Sequence, residues 1–124
     1  MKKIILLLFC MPLLLASTCN DDDNNDVFCT TEFVYGLNVT IIDSATQQPI
    51  TEGVTVIAQD GNYQETLENF PGSEGVFFGA GERAGTYLIT ASKSGYVTST
   101  ATVTVTANEC HVNPQQVQIV LTAN

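Results

Sequence analysis

The chain has 124 residues and a formal net charge of −9, with 13 Asp and Glu against four Lys and Arg. This balance argues against nucleic-acid binding, because phosphate contacts require clustered lysine and arginine. An anionic lipid surface would repel the chain for the same reason.

The N-terminus has the pattern of an export signal. Two lysines precede an apolar run over residues 4–16 that only Pro12 interrupts. A core of roughly 10–14 apolar residues is shorter than the ~20 that a transmembrane helix needs. We therefore predict a signal peptide at residues 1–18, with a membrane-spanning anchor as the less favoured alternative.

The end of this segment predicts lipidation. Residues 15–19, Leu-Ala-Ser-Thr-Cys, resemble the lipobox of bacterial lipoproteins, whose cysteine is acylated and becomes the new N-terminus. Thr18 stands where Gly, Ala or Ser is usual, so ordinary cleavage that leaves Cys19 unmodified is the alternative. Cys10 lies inside the apolar run and is no candidate. We predict attachment to the membrane through a lipid on Cys19.

An acidic run follows directly. Residues 20–26 hold four aspartates and no apolar side chain, so they cannot offset their ordering entropy by burial. Residues 19–28 are predicted to form a solvated tether with a reach of about 30 Å. Acidic residues after a lipidated cysteine resemble the signal that exports some Gram-negative lipoproteins to the outer face of the outer membrane. The resemblance implies a surface-exposed outer membrane lipoprotein; a plain flexible spacer is the alternative.

Residues 29–124 suffice for one domain, and their pattern is that of strands. No amphipathic helix is visible, and Asp60-Gly61 favours a type I′ hairpin turn. We therefore predict an all-β, two-sheet Greek-key sandwich of the Ig-like or transthyretin-like kind. Its seven predicted strands are 33–43, 54–59, 62–67, 76–80, 86–93, 97–106 and 116–121.

The strongest strand signal lies at residues 97–106. Val103 and Val105 alternate with Thr102 and Thr104, which is the two-residue period of a strand with one buried face. We predict buried valines and exposed threonines. The turn at Ser94-Gly95 should let this strand pair with residues 86–93.

Three groups of residues have a family-like spacing. They are Gly36-x-x-Val39, then Asp43-x-x-Thr46-x-x-Pro49-Ile50-x-x-Gly53-Val54-x-Val56, then Gly85-Thr86-Tyr87-x-Ile89 with Lys93-Ser94-Gly95-Tyr96. Together they resemble the carboxypeptidase regulatory-like domain, a transthyretin-like sandwich of seven strands, over residues 37–105. That family is defined by scaffold residues, so the resemblance implies no catalytic set, metal or cofactor.

Cys29 and Cys110 are the only cysteines of the domain. An even pair in a small exported domain usually forms a disulfide, and these two precede the first and last strands, which can run near one another in a Greek key. We predict the Cys29–Cys110 bond. The alternatives are an activated Cys110 thiolate beside His111, the single histidine, or a metal site of all three residues. Both are less favoured, and the metal site is weak because no Cys-x-x-Cys spacing exists and a fourth ligand would have to be found.

Four glutamates and four aromatic residues remain as candidates. Glutamates 65, 68, 74 and 82 lie on or near loops, but no Asp-x-Asp-x-Asp spacing supports a calcium site, so solvated surface acids are the better interpretation. The aromatic candidates for a partner-binding rim are Tyr63, Phe70, Phe77 and Phe78. Strand alternation allows only one of the last two to face the core.

Asp43-Ser44-Ala45 resembles an acceptor triplet for bacterial O-glycosylation, so Ser44 is a candidate modification site. Taken together, these features predict a lipid-anchored, non-catalytic binding or structural module with an extracellular glycan or protein as its partner. The alternative is a small exported enzyme or inhibitor that uses the loops around residues 68–82.

Cys19→Ala should release the exported protein from the membrane fraction, because acylation with more than one chain is what gives stable anchoring. Detergent partitioning measures this, and a variant that stays with the membrane contradicts the lipobox interpretation. Changing residues 21–23 to alanine should keep the anchor but remove protease accessibility on intact cells. Unchanged proteolysis would contradict the export signal alone.

Overall fold

A computed structural model describes residues 27–124, so the predicted signal peptide, Cys19 and most of the tether lie outside the described residues. The described part contains eight strands, and none of its residues forms a helix that could cross a bilayer. The strands are β1 (Tyr35–Asp43), β2 (Val54–Asp60), β3 (Tyr63–Thr66), β4 (Val76–Gly81), β5 (Gly85–Lys93), β6 (Tyr96–Val97), β7 (Ser99–Val105) and β8 (Gln115–Ala123).

The strands form two four-stranded sheets. Sheet A has the order β4-β1-β8-β6 and sheet B has the order β3-β2-β5-β7. Neighbouring strands are antiparallel except β1 and β8, which run parallel in the middle of sheet A. The predicted all-β sandwich of two sheets is therefore confirmed.

The core lies between the inner faces of the sheets, where strand alternation brings aliphatic side chains together. Burying each large aliphatic side chain contributes about 1.5–3 kcal/mol. No polar or charged residue is buried within residues 27–124. The largest fully buried side chains are Tyr87, Leu37, Ile41, Ile89, Leu121, Val39, Val56 and Val105.

The predicted strand 97–106 is divided between the two sheets, which is why eight strands are present rather than seven. Tyr96 and Val97 pair with β8 in sheet A, whereas Ser99–Val105 pairs with β5 in sheet B. Val97 is therefore 55% exposed instead of facing the core. The Tyr96 hydroxyl donates a hydrogen bond to Asp43 Oδ2 at 2.6 Å. This contact reaches across sheet A, and the local sequence pattern does not predict it.

The valines of β7 face inward, as predicted, but to different extents. Val105 is 1% exposed, while Val103 is only half-buried because β7 is the edge strand of sheet B. Thr102 and Thr104 are exposed. The predicted face is therefore confirmed, and the prediction of full burial for Val103 is wrong.

The β2–β3 hairpin turn lies one residue later than predicted. Asp60 pairs with Tyr63, so the loop residues are Gly61 and Asn62. Only Gly61 has positive φ, at +61°. A type I′ turn needs positive φ at both loop residues, so the turn is of the II′ kind. Asp60 instead ends β2.

The structure brings Cys29 and Cys110 to disulfide distance, with their Cα atoms 5.2 Å apart. The bond joins the segment before β1 to the β7–β8 loop. Because β1 and β8 are parallel neighbours, these two segments meet at one end of the sandwich, in the centre of sheet A rather than at its edge. Closing a loop of about 80 residues stabilises the fold by roughly 4–5 kcal/mol in the simplest chain-entropy estimate.

Charged residues are absent from both outer faces of the described sandwich. The strands contain only four charged residues, and three of these, Asp43, Asp60 and Lys93, are the last residues of their strands. The fourth, Glu65, lies on edge strand β3. The negative charge is therefore concentrated at the two ends of the sandwich and along its β3 side.

Val105→Asp should destabilise the domain by roughly 3–5 kcal/mol, because it forces an unpaired charge into the core. Thr102→Asp is the matched control on the outer side of the same strand and should change stability by about 0.5 kcal/mol or less. Thermal unfolding of the two variants measures the difference. Equal losses would contradict the register of β7 against β5.

Candidate binding cleft

A cleft of about 220 Å³ opens between β3 and β4. β3 ends sheet B and β4 ends sheet A, so the cleft lies at one open side of the sandwich. We call it the β3–β4 cleft. Its chemically distinctive lining residues are Phe33, Tyr35, Tyr63, Glu65, Glu68 and Phe78.

Four aromatic rings form a continuous group that includes one wall of this cleft. The ring centroid of Tyr35 lies 5.1 Å from that of Phe33, 6.0 Å from Phe70 and 5.6 Å from Phe78. Phe70 and Phe78 are themselves 5.6 Å apart. We call these four residues the aromatic cluster. Phe33 is exposed and the other three rings are half-buried, so the cluster reaches the surface beside the cleft.

Backbone alternation explains which rings reach the surface. Phe77 lies in the core with 4% exposure and Phe78 lies outside, so the prediction that only one faces the core is confirmed. Phe77 therefore does not belong to the predicted partner-binding rim. In β1 the alternation changes at Gly36, where a Cβ atom would lie 2.6 Å from Val105 Cγ1 in the core. Tyr35 therefore lies towards Phe78.

Two glycines of β4 shape the cleft. A Cβ atom on Gly79 would lie 2.6 Å from Leu67 Cγ and 2.9 Å from Glu65 Oε2. A Cβ atom on Gly81 would overlap the Phe33 ring. Only hydrogen at these positions lets the neighbouring side chains close over β4, and the glycines therefore set the position of the Phe33 ring.

Two carboxylates line the cleft from the β3 side. Glu65 Oε2 accepts a hydrogen bond from the backbone N–H of Ala80, a residue held in the left-handed region at φ +54°. Glu68 pairs with Phe78 through both backbone groups, at 2.9 and 2.7 Å, and is exposed. Burial and the nearby Glu65 carboxylate raise the pKa of Tyr63, so its ring stays neutral at physiological pH.

The chain's own Arg83 occupies a site beside the cleft. Its guanidinium carbon lies 3.7 Å from the centroid of the Tyr63 ring, and its Nη1 donates to Asp60 Oδ2 at 3.1 Å and to the Tyr87 hydroxyl at 3.0 Å. Tyr87 in turn donates to the Arg83 carbonyl at 2.8 Å. An aromatic face and a carboxylate therefore hold a cation here.

A second polar group lies where the disulfide joins the two segments. His111 Nδ1 lies 2.6 Å from Glu82 Oε2, and His111 Nε2 lies 2.9 Å from Thr30 Oγ1. Glu82 also accepts from the backbone N–H groups of Val34, at 3.0 Å, and Val112, at 3.3 Å. The arrangement connects a hydroxyl, an imidazole and a carboxylate, and it also ties three segments of the chain together.

The disulfide removes the alternatives that needed free thiolates. With Cys29 bonded to Cys110, neither sulfur is available to His111 as an activated nucleophile or as a zinc ligand. Across residues 27–124, no three His, Cys, Asp or Glu side chains are grouped to hold a metal ion.

The remaining predicted residues are dispersed. Glu74 lies at the opposite end of the sandwich, in a shallow depression with Pro49 and Lys93. Ser44 follows β1 at that same end, half-buried, and its backbone N–H donates to Leu121 O at 2.9 Å. O-glycosylation of Ser44 stays a prediction.

The predicted rim does not include Phe33 and Tyr35, although the strand predicted over residues 33–43 allows for a bulge at Gly36. Gly36 was the available signal, since a glycine inside a strand often marks an irregularity. No protein-family model matches the chain, and no curated protein is significantly similar to it. The function is therefore inferred from the residues themselves.

Glu82→Gln should change how stability depends on pH. Burial would raise the pKa of Glu82, but hydrogen bonds from His111, Val34 and Val112 outweigh burial and hold the pKa below its ordinary value of 4.5. A carboxylate with a lower pKa in the folded state stabilises the fold above its unfolded pKa, and that stability is lost as the pH falls through the folded value. The melting temperature of the wild type should exceed that of the variant at neutral pH, and the gap should shrink below pH 4.5.

Glu74→Gln is the control for this measurement, because it removes the same charge from an exposed position at the other end of the domain. It should keep the wild-type dependence on pH. If the melting temperatures of the wild type and Glu82→Gln fall in parallel from neutral pH down to pH 3, the network does not stabilise the fold.

Proposed function

We propose that this chain is a lipid-anchored, non-catalytic binding module of the bacterial cell surface, built on a Greek-key, carboxypeptidase regulatory-like (transthyretin-like) sandwich. The observation that carries the proposal is the β3–β4 cleft, where the aromatic cluster meets two carboxylates at an open side of the fold. Concave sites with aromatic walls and a few polar groups are typical of binding sites. The proposed partner is an extracellular protein or glycan.

The proposed anchor and the cleft are compatible. The lipid on Cys19 would attach the chain to the outer membrane, and the acidic tether would allow up to about 30 Å between membrane and domain. Cys29 joins the end of this tether to the body of the domain through Cys110. The cleft opens at the side of the sandwich, between β3 and β4.

The lining of the cleft favours binding over catalysis. It contains no histidine, cysteine or serine, the residues that most often act as base or nucleophile, although Thr66, Glu65 and Glu68 line it. The family resemblance supports the same conclusion, because that family carries no catalytic set.

The test is a binding screen with the full exported chain carrying Cys19→Ala, so that the protein is recovered without its lipid. The immobilised chain is exposed to panels of purified glycans and extracellular proteins, and retained partners are measured again with two variants. Phe78→Ser alters the aromatic cluster, and Leu88→Ser makes a matched change at a 44% exposed position on the outer face of sheet B. We expect Phe78→Ser to weaken retention at least about tenfold, as for a central aromatic contact, and Leu88→Ser to leave it unchanged. Failure to retain any partner, or equal losses in both variants, would contradict the proposal.

A second candidate function is hydrolysis by a small exported enzyme, the alternative that involves the loops around residues 68–82. The observation that favours it is the chain of contacts from Thr30 through His111 to Glu82, which has the order of nucleophile, base and orienting carboxylate. Turnover of activated esters that His111→Gln abolishes would support this candidate. If no turnover is observed and His111→Gln binds partners as the wild type does, the network has only a structural role.

A further inference from the structure

The β3–β4 cleft has the size of a receptor for one side chain. Its volume of about 220 Å³ lies below the ~300–1,000 Å³ of pockets that enclose small-molecule ligands. It is also open rather than enclosed, since it lies between two edge strands. A side chain projecting from a partner's surface therefore fits it better than a free metabolite does.

The charge of the cleft is negative and is not balanced by the described part of the chain. Only two lysine or arginine residues occur within residues 27–124. Arg83 pairs with Asp60, and Lys93 donates to the Glu52 carbonyl at 2.5 Å near the opposite end of the sandwich. No ion pair among these residues involves Glu65 or Glu68. A cleft lined by carboxylates attracts cations.

The aromatic cluster gives the same cleft a second attraction for cations. A guanidinium or ammonium group over an aromatic face within about 6 Å of its centroid is held by the ring quadrupole. The domain already uses this combination at the adjoining site, where Arg83 lies over Tyr63 and pairs with a carboxylate. Asp60 neutralises Arg83 there, so the two cleft carboxylates still give the cleft a net negative charge.

We infer that the β3–β4 cleft receives a lysine or arginine side chain of a partner protein. The inference rests on the proposed function and adds the chemistry of the partner. The cation would lie between the half-buried rings of Tyr35 and Phe78 and the carboxylates of Glu65 and Glu68. Negative charge at the cleft and uncharged sheet faces elsewhere select a basic partner over an acidic one.

The experiment titrates the full exported Cys19→Ala chain with three capped five-residue peptides and follows backbone amide chemical shifts. The peptides carry two arginines, two lysines or two citrullines, the last being a neutral counterpart of arginine. We expect the arginine and lysine peptides to shift the amides of Gly79 and Gly81, and the citrulline peptide to leave them unchanged. Glu68→Gln and Phe78→Leu should each weaken the binding by about 2–5-fold.

Glu74→Gln is the matched charge control, because it removes one negative charge from a separate depression that does not line the cleft. Unchanged affinity in this variant supports the cleft; a loss equal to that of Glu68→Gln would mean diffuse attraction and would overturn the inference. Equal binding of the citrulline peptide would also overturn it. If neither basic peptide binds while the partner screen still depends on Phe78, the cationic ligand is wrong and the binding module stands. If the screen fails as well, both proposals fall.

Discussion

The parallel pairing of β1 with β8 is the constraint on which the rest of the structure depends. It places the first and last strands side by side in sheet A, so the segments that precede them meet at one end of the sandwich. That meeting brings Cys29 to Cys110 and Thr30 to His111, residues separated by about 80 positions in sequence. Glu82 joins the same group from the β4–β5 turn. A parallel pair needs a long crossover, and here the whole domain provides it.

The cleft arises because the two sheets leave one side open. β3 and β4 are the edge strands there, and the backbone bridge between Glu68 and Phe78 holds them together without closing the gap. Edge strands with unpaired backbone groups invite association, and the bridge shields part of this edge. The glycines of β4 then leave room for the neighbouring Phe33 and Leu67 side chains. The site is therefore a consequence of how the sheets end.

The distribution of charge follows from the same architecture. Sheet strands carry hydroxyl and amide side chains outward, so the acidic residues are confined to strand ends, loops and β3. The two described cations each hold a local contact, Arg83 at Tyr63 and Lys93 at Glu52. In a domain with few bases, carboxylates beside aromatic rings favour a cationic ligand, whereas carboxylates surrounded only by water are simply solvated.

Some of these features were determined by the sequence alone. The strands and their inner faces followed from alternation, a local property, so it was foreseeable that only one of Phe77 and Phe78 faces the core, but not which one. The sequence also predicted the disulfide, the signal peptide at residues 1–18 and lipidation of Cys19. Only the tertiary structure decided that Tyr96 and Val97 would pair with β8 and so divide the predicted strand, that Gly36 would turn Tyr35 outward, and that His111 would meet Glu82. These depend on contacts between residues distant in the chain, which no local pattern encodes.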